Sequence, residues 1–141
     1  MGLYLCVFAS PIGDDEIEGV EVGSYSDFST LRSSVSERLE AGHWGSRFPV
    51  LMLHPDSDGE WSPAEASALL AELETIENEF RTLPPAPFIE GTWQSEAAKL
   101  YGIRPSSLAD CFVDIDGEPL LTRLSELASV AISHNCPISF Q

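Results

Sequence analysis

The tetrapeptide Ser62-Pro-Ala-Glu65 restricts the possible folds of this chain more than any other stretch. A serine N-cap followed three residues later by glutamate is a capping box, and proline suits the first helical position because no N–H donor is needed there. We predict a helix from this point to about Thr82. Residues at spacings of three and four form its apolar face: Ala66, Leu69, Leu70, Leu73, Ile76 and Phe80.

The remaining segments alternate between apolar runs and helical stripes. We predict strands at 3–9, 49–53, 111–115 and 137–140, and a short edge strand at 19–23. Further helices are predicted at 27–41, with Ser26 as the cap, at 93–101 and at 119–133. In the helix at 93–101 we expect Trp93, Ala97, Leu100 and Tyr101 to point inward.

This order of elements, β-β-α-β-α-α-β-α-β, predicts an α+β fold. We expect a mixed β-sheet of about four to five strands packed with three to four helices, and a small α/β sandwich is the alternative.

Length predicts the number of domains, and net charge limits the classes of partner. A chain of 141 residues can bury one core without disulfides or metals, so we expect a single domain over residues 1–141. Its 23 acidic and 7 basic residues give a net charge of −16. We therefore expect a basic protein partner, no nucleic acid, no membrane, and a monomer or weak dimer. Solubility alone, or an acidic proteome, also accounts for the charge.

The cysteines and the N-terminus predict a cytoplasmic protein. Cys6 and Cys111 lie in apolar runs, where buried free thiols are expected, and an odd number of cysteines suits a reducing compartment. The segment Met1–Phe8 lacks the basic region and length of a signal peptide. No segment approaches the roughly 20 apolar residues that span a bilayer.

Alternating carboxylates at Asp56, Asp58 and Glu60 raise the question of a cation site. An EF-hand loop needs glycine at its sixth position and glutamate at its twelfth, but counting from Asp56 places Trp61 and Ser67 there. His54 has no second histidine at ligand spacing. We predict no metal and no cofactor, and interpret the segment as a tight surface turn.

Motifs of common enzymes are also missing. The sequence has no G-x-S-x-G, H-E-x-x-H or C-x-x-C, and its three histidines are scattered. A thiol dyad of Cys111 with His54 or His134 would require a spatial meeting that the sequence does not indicate. A small metal-dependent or thiol enzyme remains the alternative to a binding protein.

Two acidic segments are the candidate partner-binding surfaces. Carboxylates beside an aromatic anchor suit the capture of Arg and Lys side chains on a basic partner. The first segment provides Asp56, Asp58, Glu60 and Trp61, and the second provides Asp14, Asp15, Glu16 and Glu18.

Four stretches together resemble the small acidic bacterial immunity proteins of polymorphic toxin systems. They are Met1–Phe8, Gly19–Tyr25, Leu53–Glu65 and Leu108–Leu120, so the resemblance covers most of the chain. The resemblance implies a cytoplasmic, non-enzymatic protein, encoded beside a toxin, that neutralises the toxin by stoichiometric binding. It implies no catalytic residues. An acidic housekeeping adaptor without a toxin partner is the other alternative.

Overall fold

In the part of the chain that the structure describes, a four-stranded sheet and five α-helices confirm the predicted α+β fold. The computed structural model describes residues 2–9, 15–55 and 58–141. The elements follow in the order β1 (Gly2–Phe8), β2 (Glu16–Ser24), α1 (Tyr25–Leu39), α2 (Pro49–Leu53), β3 (Glu60–Trp61), α3 (Pro63–Phe80), α4 (Trp93–Tyr101), a 3₁₀ helix (Leu108–Cys111), α5 (Leu120–His134) and β4 (Ile138–Phe140).

The strands lie in the order β2-β1-β4-β3, and all three pairings are antiparallel rather than mixed. β1 and β2 are consecutive in the chain, so a short connection suffices for antiparallel pairing. The C-terminal β4 then inserts between β1 and β3. Alternate β1 residues enter the hydrophobic core, namely Leu3, Leu5 and Val7. The predictions of a buried first strand, an edge strand at 19–23 and a C-terminal strand are confirmed.

The helices α1 and α5 lie against this sheet, and α3 packs along α5. The Ser62 capping box is confirmed, because Ser62 Oγ accepts from Glu65 N at 3.1 Å and Glu65 Oε1 accepts from Ser62 N at 3.0 Å. α3 and α5 run antiparallel. Thr122 at the start of α5 donates to Glu77 near the end of α3, at 3.4 Å.

Two predicted strands are wrong. Residues Pro49–Leu53 form α2, because a five-residue apolar run has no periodicity that separates a strand from a buried helical turn. Glu72 of α3 caps this short helix by accepting from Val50 N at 3.1 Å and from Leu51 N at 2.9 Å. Residues 111–115 also form no strand. The 3₁₀ helix ends at Cys111, and Val113 makes an isolated bridge to Pro119.

The start of α1 differs from the predicted one by two residues. Ser24 is the N-cap instead of Ser26, because Asp27 stands three residues after Ser24 and completes a capping box with it. Asp27 is fully buried, and its second oxygen accepts from Gln94 N at 3.1 Å. One carboxylate therefore holds the starts of α1 and α4 together.

The orientation predicted for α4 is wrong for three of four residues. Trp93, Leu100 and Tyr101 are exposed, and only Ala97 is buried as expected. The inward side is formed by small or polar residues, Gln94, Ser95, Ala97 and Ala98. The helix contacts β2 at its own start, where the Trp93 Cβ lies against Gly23.

Glu40, just after α1, organises the loop that leads to α2. It is buried, and its oxygens accept from Gly45 N, Arg47 N and Phe48 N, each at 3.0 Å.

We predict that Glu40→Ala lowers the free energy of unfolding by about 2–3 kcal/mol, because the N–H groups of Gly45, Arg47 and Phe48 lose a charged acceptor. Urea denaturation measures the loss. Glu37→Ala, an exposed change on the same helix, is the control, and equal losses in both variants would contradict this role for Glu40.

The thiols should react slowly in the folded protein. Cys6 is buried, and burial, followed by the nearby Glu16 carboxylate, raises the pKa of its thiol to about 11. At pH 8 about one Cys6 side chain in a thousand is then a thiolate, against about a quarter for a free cysteine. We expect iodoacetamide labelling of native Cys6 to be at least about a hundredfold slower than in urea. Peptide mass spectrometry measures the rate, and comparable rates would show that Cys6 is accessible.

Candidate functional site

The predicted acidic residues separate into two places on the fold. Asp14 and Asp56 lie outside the described residues. Asp15 is exposed immediately before β2, and Glu16 and Glu18 are part of that strand. Glu16 accepts from the Tyr4 hydroxyl at 2.6 Å, and burial followed by this hydrogen bond raises the pKa of Tyr4.

Asp58 and Glu60 are exposed, as expected for a surface turn, but Trp61 is not displayed beside them. Its side chain is 1% exposed, and Nε1 donates to Val50 O at 3.1 Å. The pairing of β3 with β4 sets Trp61 opposite Ile138 on the core side of the sheet, where its ring meets Phe140 edge-on at 4.7 Å. The prediction of Trp61 as an exposed anchor is therefore wrong.

His54 supports the turn structurally. Its ring stacks on Phe140 at 4.2 Å, and its two nitrogens lie 2.6 Å from Pro55 O and 3.0 Å from Glu60 O. Both nitrogens thus face backbone carbonyl oxygens rather than an open ligand position. Within the described part of the chain, no group of three or more His, Cys, Asp and Glu side chains is arranged to hold a metal ion.

An open groove between α3 and α5 collects more acidic charge. Its volume is about 680 Å³, and Glu18 of β2 lies at one side. The charged residues that line it are four acids and one base: Glu18, Glu74, Glu77, Glu126 and Arg81. Ser125 also lines the groove, and its buried Oγ has no hydrogen-bond partner among the described residues. We call this surface the α3–α5 groove.

Few cations are left to neutralise such surfaces. Among the described residues, the basic side chains that already form ion pairs with carboxylates include Arg47, Arg81, Lys99 and Arg123. In the α3–α5 groove, Arg81 pairs with Glu77. Arg123, which is not a lining residue, lies 2.9 Å from Glu126 and 3.5 Å from Glu18. Glu74 is exposed and lines the groove. The groove keeps an excess of negative charge for an external cation.

A second depression of about 380 Å³ lies beside β3 and includes Glu60. The start of α3 and the residues after α5 line it, through Ser62, Pro63, Asn135 and Pro137. Glu60 is its single carboxylate among the lining residues. This surface is less acidic than the α3–α5 groove.

Sequence reasoning found Glu18 but not the groove to which it belongs. Glu74 and Glu77 lie in the helix that was predicted to run to about Thr82, outside its apolar face, whereas Glu126 belongs to α5 and carries no local signal. Because three separate elements meet at this surface, only the tertiary packing brings their carboxylates together.

Among the described residues, none of the helices combines the length and the apolar character that a membrane span requires.

The comparison with known families confirms the predicted resemblance. No curated protein and no solved structure significantly matches the chain. The sequence model of one family, Immunity protein 70, matches residues 3–140. Since the match leaves out only the first two residues and the last one, the chain belongs to the Immunity protein 70 family.

Proposed function

We propose that this protein neutralises a cognate bacterial toxin by binding it stoichiometrically, without catalysing a reaction. Membership of the Immunity protein 70 family is the observation that carries the proposal. The net charge of −16 supports a basic toxin as the partner, because opposite charge accelerates encounter and stabilises the complex.

The α3–α5 groove is the proposed acidic contact. Glu74 and Glu126 are exposed there, and a partner Arg or Lys can pair with them without breaking the core. The unpartnered Ser125 Oγ offers a further polar contact. The exposed carboxylates of Asp58 and Glu60 form a separate candidate contact, as the sequence predicted, without Trp61 as its anchor.

Location and assembly are part of the same proposal. We propose that the toxin is met in the cytoplasm by a monomer or weak dimer. The three buried, unpaired thiols suit a reducing compartment. The high negative charge opposes tight self-association.

The geometry around Cys111 does not favour the alternative of a thiol enzyme. Its sulfur lies 3.4 Å from both the backbone N and the O of Ala86. Burial raises the pKa of this thiol, which disfavours the nucleophilic thiolate.

Salt dependence tests the electrostatic part of the proposal. The probe is an inactivated toxin domain encoded by the gene adjacent to this one. We expect tight one-to-one binding by calorimetry, with an association rate that falls roughly tenfold or more as NaCl rises from about 50 to about 500 mM. Absence of binding to this domain would overturn the proposed function. Salt-independent binding would overturn the electrostatic mechanism alone.

Charge neutralisation tests which acidic surface is used. We expect Glu74→Gln/Glu126→Gln to weaken binding about tenfold, because close charge pairs at interfaces contribute about 1.5 kcal/mol or more. Glu37→Gln, an exposed helical change outside the groove, should leave the affinity unchanged. Asp58→Asn/Glu60→Gln tests the turn in the same assay. An unchanged dissociation constant in either double variant removes that surface from the interface.

A further inference from the structure

Helix α4 and the residue Ile89 before it expose four large apolar side chains. The exposed fractions are 56% for Ile89, 54% for Trp93, 75% for Leu100 and 51% for Tyr101. Trp93 and Leu100 are seven residues apart and therefore lie on the same helical face, two turns from each other. Ile89 O accepts from Thr92 Oγ1 at 2.7 Å, which holds Ile89 at the start of the helix. We call these four residues the α4 patch.

The fold holds this patch in place. At its start, Gln94 N donates to the buried Asp27 carboxylate, and Thr92 Oγ1 caps the helix by accepting from Ser95 N at 3.1 Å. At its end, the Tyr101 ring lies on Gly117, where an added Cβ would be 2.5 Å from Tyr101 Cδ2. The exposed rings are thus presented by an ordered support, which lowers the entropic cost of binding a partner.

A small cavity adjoins the α4 patch. Its volume is about 110 Å³, and Ile89 lines both the cavity and the patch. Gln94 also lines it and is only 4% exposed, yet its Nε2 has no hydrogen-bond partner among the described residues. Buried donors without an acceptor are costly, so an acceptor supplied from outside would be favourable here. A partner side chain that ends in a hydrogen-bond acceptor, or a backbone carbonyl of the partner, is small enough for this cavity and can accept from Gln94 Nε2.

The charge around the patch indicates which partner fits. Exposed carboxylates surround it at Glu90, Glu96, Asp116 and Glu118, against Lys99, which lies 3.6 Å from Glu90, and Arg104. A second copy of this chain would bring its own negative charge to this acidic rim, at a net −16 per chain. A protein with an apolar centre ringed by Arg and Lys complements both the patch and its rim.

We propose that the α4 patch is the central docking surface for the cognate toxin, which contacts it through apolar side chains surrounded by basic ones. This inference rests on the proposed function. Large exposed apolar patches with polar rims mark interaction sites, and tryptophan and tyrosine are the residues that most often dominate binding energy. Apolar contacts with the α4 patch provide the binding energy, and the surrounding carboxylates favour a partner with basic residues.

One toxin can cover both the α4 patch and the α3–α5 groove. β2 connects the two surfaces, because Glu18 lines the groove and the side chain of Trp93 lies against Gly23. The two positions are five residues apart along the strand, a distance of about 17 Å. An interface of standard size buries about 800 Å² on each partner and is about 30 Å across.

Substitution of Trp93 and Leu100, which share one face of α4, tests the inference. The probe is again the inactivated toxin domain encoded by the adjacent gene, and the dissociation constant is measured by calorimetry. We expect Trp93→Ala/Leu100→Ala to weaken binding roughly 30-fold or more, the loss typical of central interface residues. The control Leu53→Ala/Ile132→Ala removes two exposed apolar residues elsewhere and should change the constant less than about threefold.

A second variant covers the case in which the double variant does not fold. Leu100 is mostly exposed to solvent, so Leu100→Arg should leave the thermal unfolding temperature unchanged. The added charge should repel a basic partner, and we expect at least a tenfold loss of affinity.

If the unaltered protein binds the toxin and both patch variants bind equally well, the α4 inference is overturned and the proposed function stands. If the unaltered protein does not bind, the proposed function itself fails. A concentration-dependent dimer that Leu100→Arg abolishes would identify a second copy as the occupant and overturn the inference.

Discussion

The buried carboxylate of Asp27 is the interaction on which the arrangement of the functional surfaces depends. One of its oxygens accepts from both Ser24 N and Ser24 Oγ, at 2.8 and 2.6 Å, and the other accepts from Gln94 N. The Asp27 side chain therefore accepts hydrogen bonds from Ser24, where β2 ends and α1 is capped, and from the first turn of α4. A buried carboxylate is tolerated only when its oxygens have such donors, so these three elements are held in one geometry.

The acidic residues of this chain divide into two functional groups. Some satisfy backbone N–H groups at helix starts and loops, as Asp27, Glu40 and Glu72 do. Burial raises the pKa of Glu72, while the N–H groups of Leu51 and Val50 lower it, so its environment combines a desolvation cost with compensating hydrogen bonds. Others, such as Glu74 and Glu96, are exposed. Composition alone does not separate these groups, because both consist of the same residue types.

The predictions of helices were more successful than those of strands. Ser62 and Glu65 lie within one helical turn, so their capping box can be recognised in the sequence, and the helix predicted at 119–133 corresponds to α5. The run at 49–53 became α2 because Glu72, 19 residues beyond its end, caps it from another helix. Trp61 is buried because β3 pairs with β4, which is 77 residues further along the chain.

The sequence by itself determined the family, the α+β class, the strongly acidic character and the apolar face of α3, because each of these is expressed in local pattern or in composition. Tertiary structure decided which acids meet at the α3–α5 groove and which apolar residues remain in water. The helix α4 shows the reason most clearly. Its spacing permits Trp93 and Leu100 to point inward, but α4 is attached through Gln94 N to the Asp27 carboxylate, 67 residues earlier in the chain, and its small or polar residues are the ones that face inward.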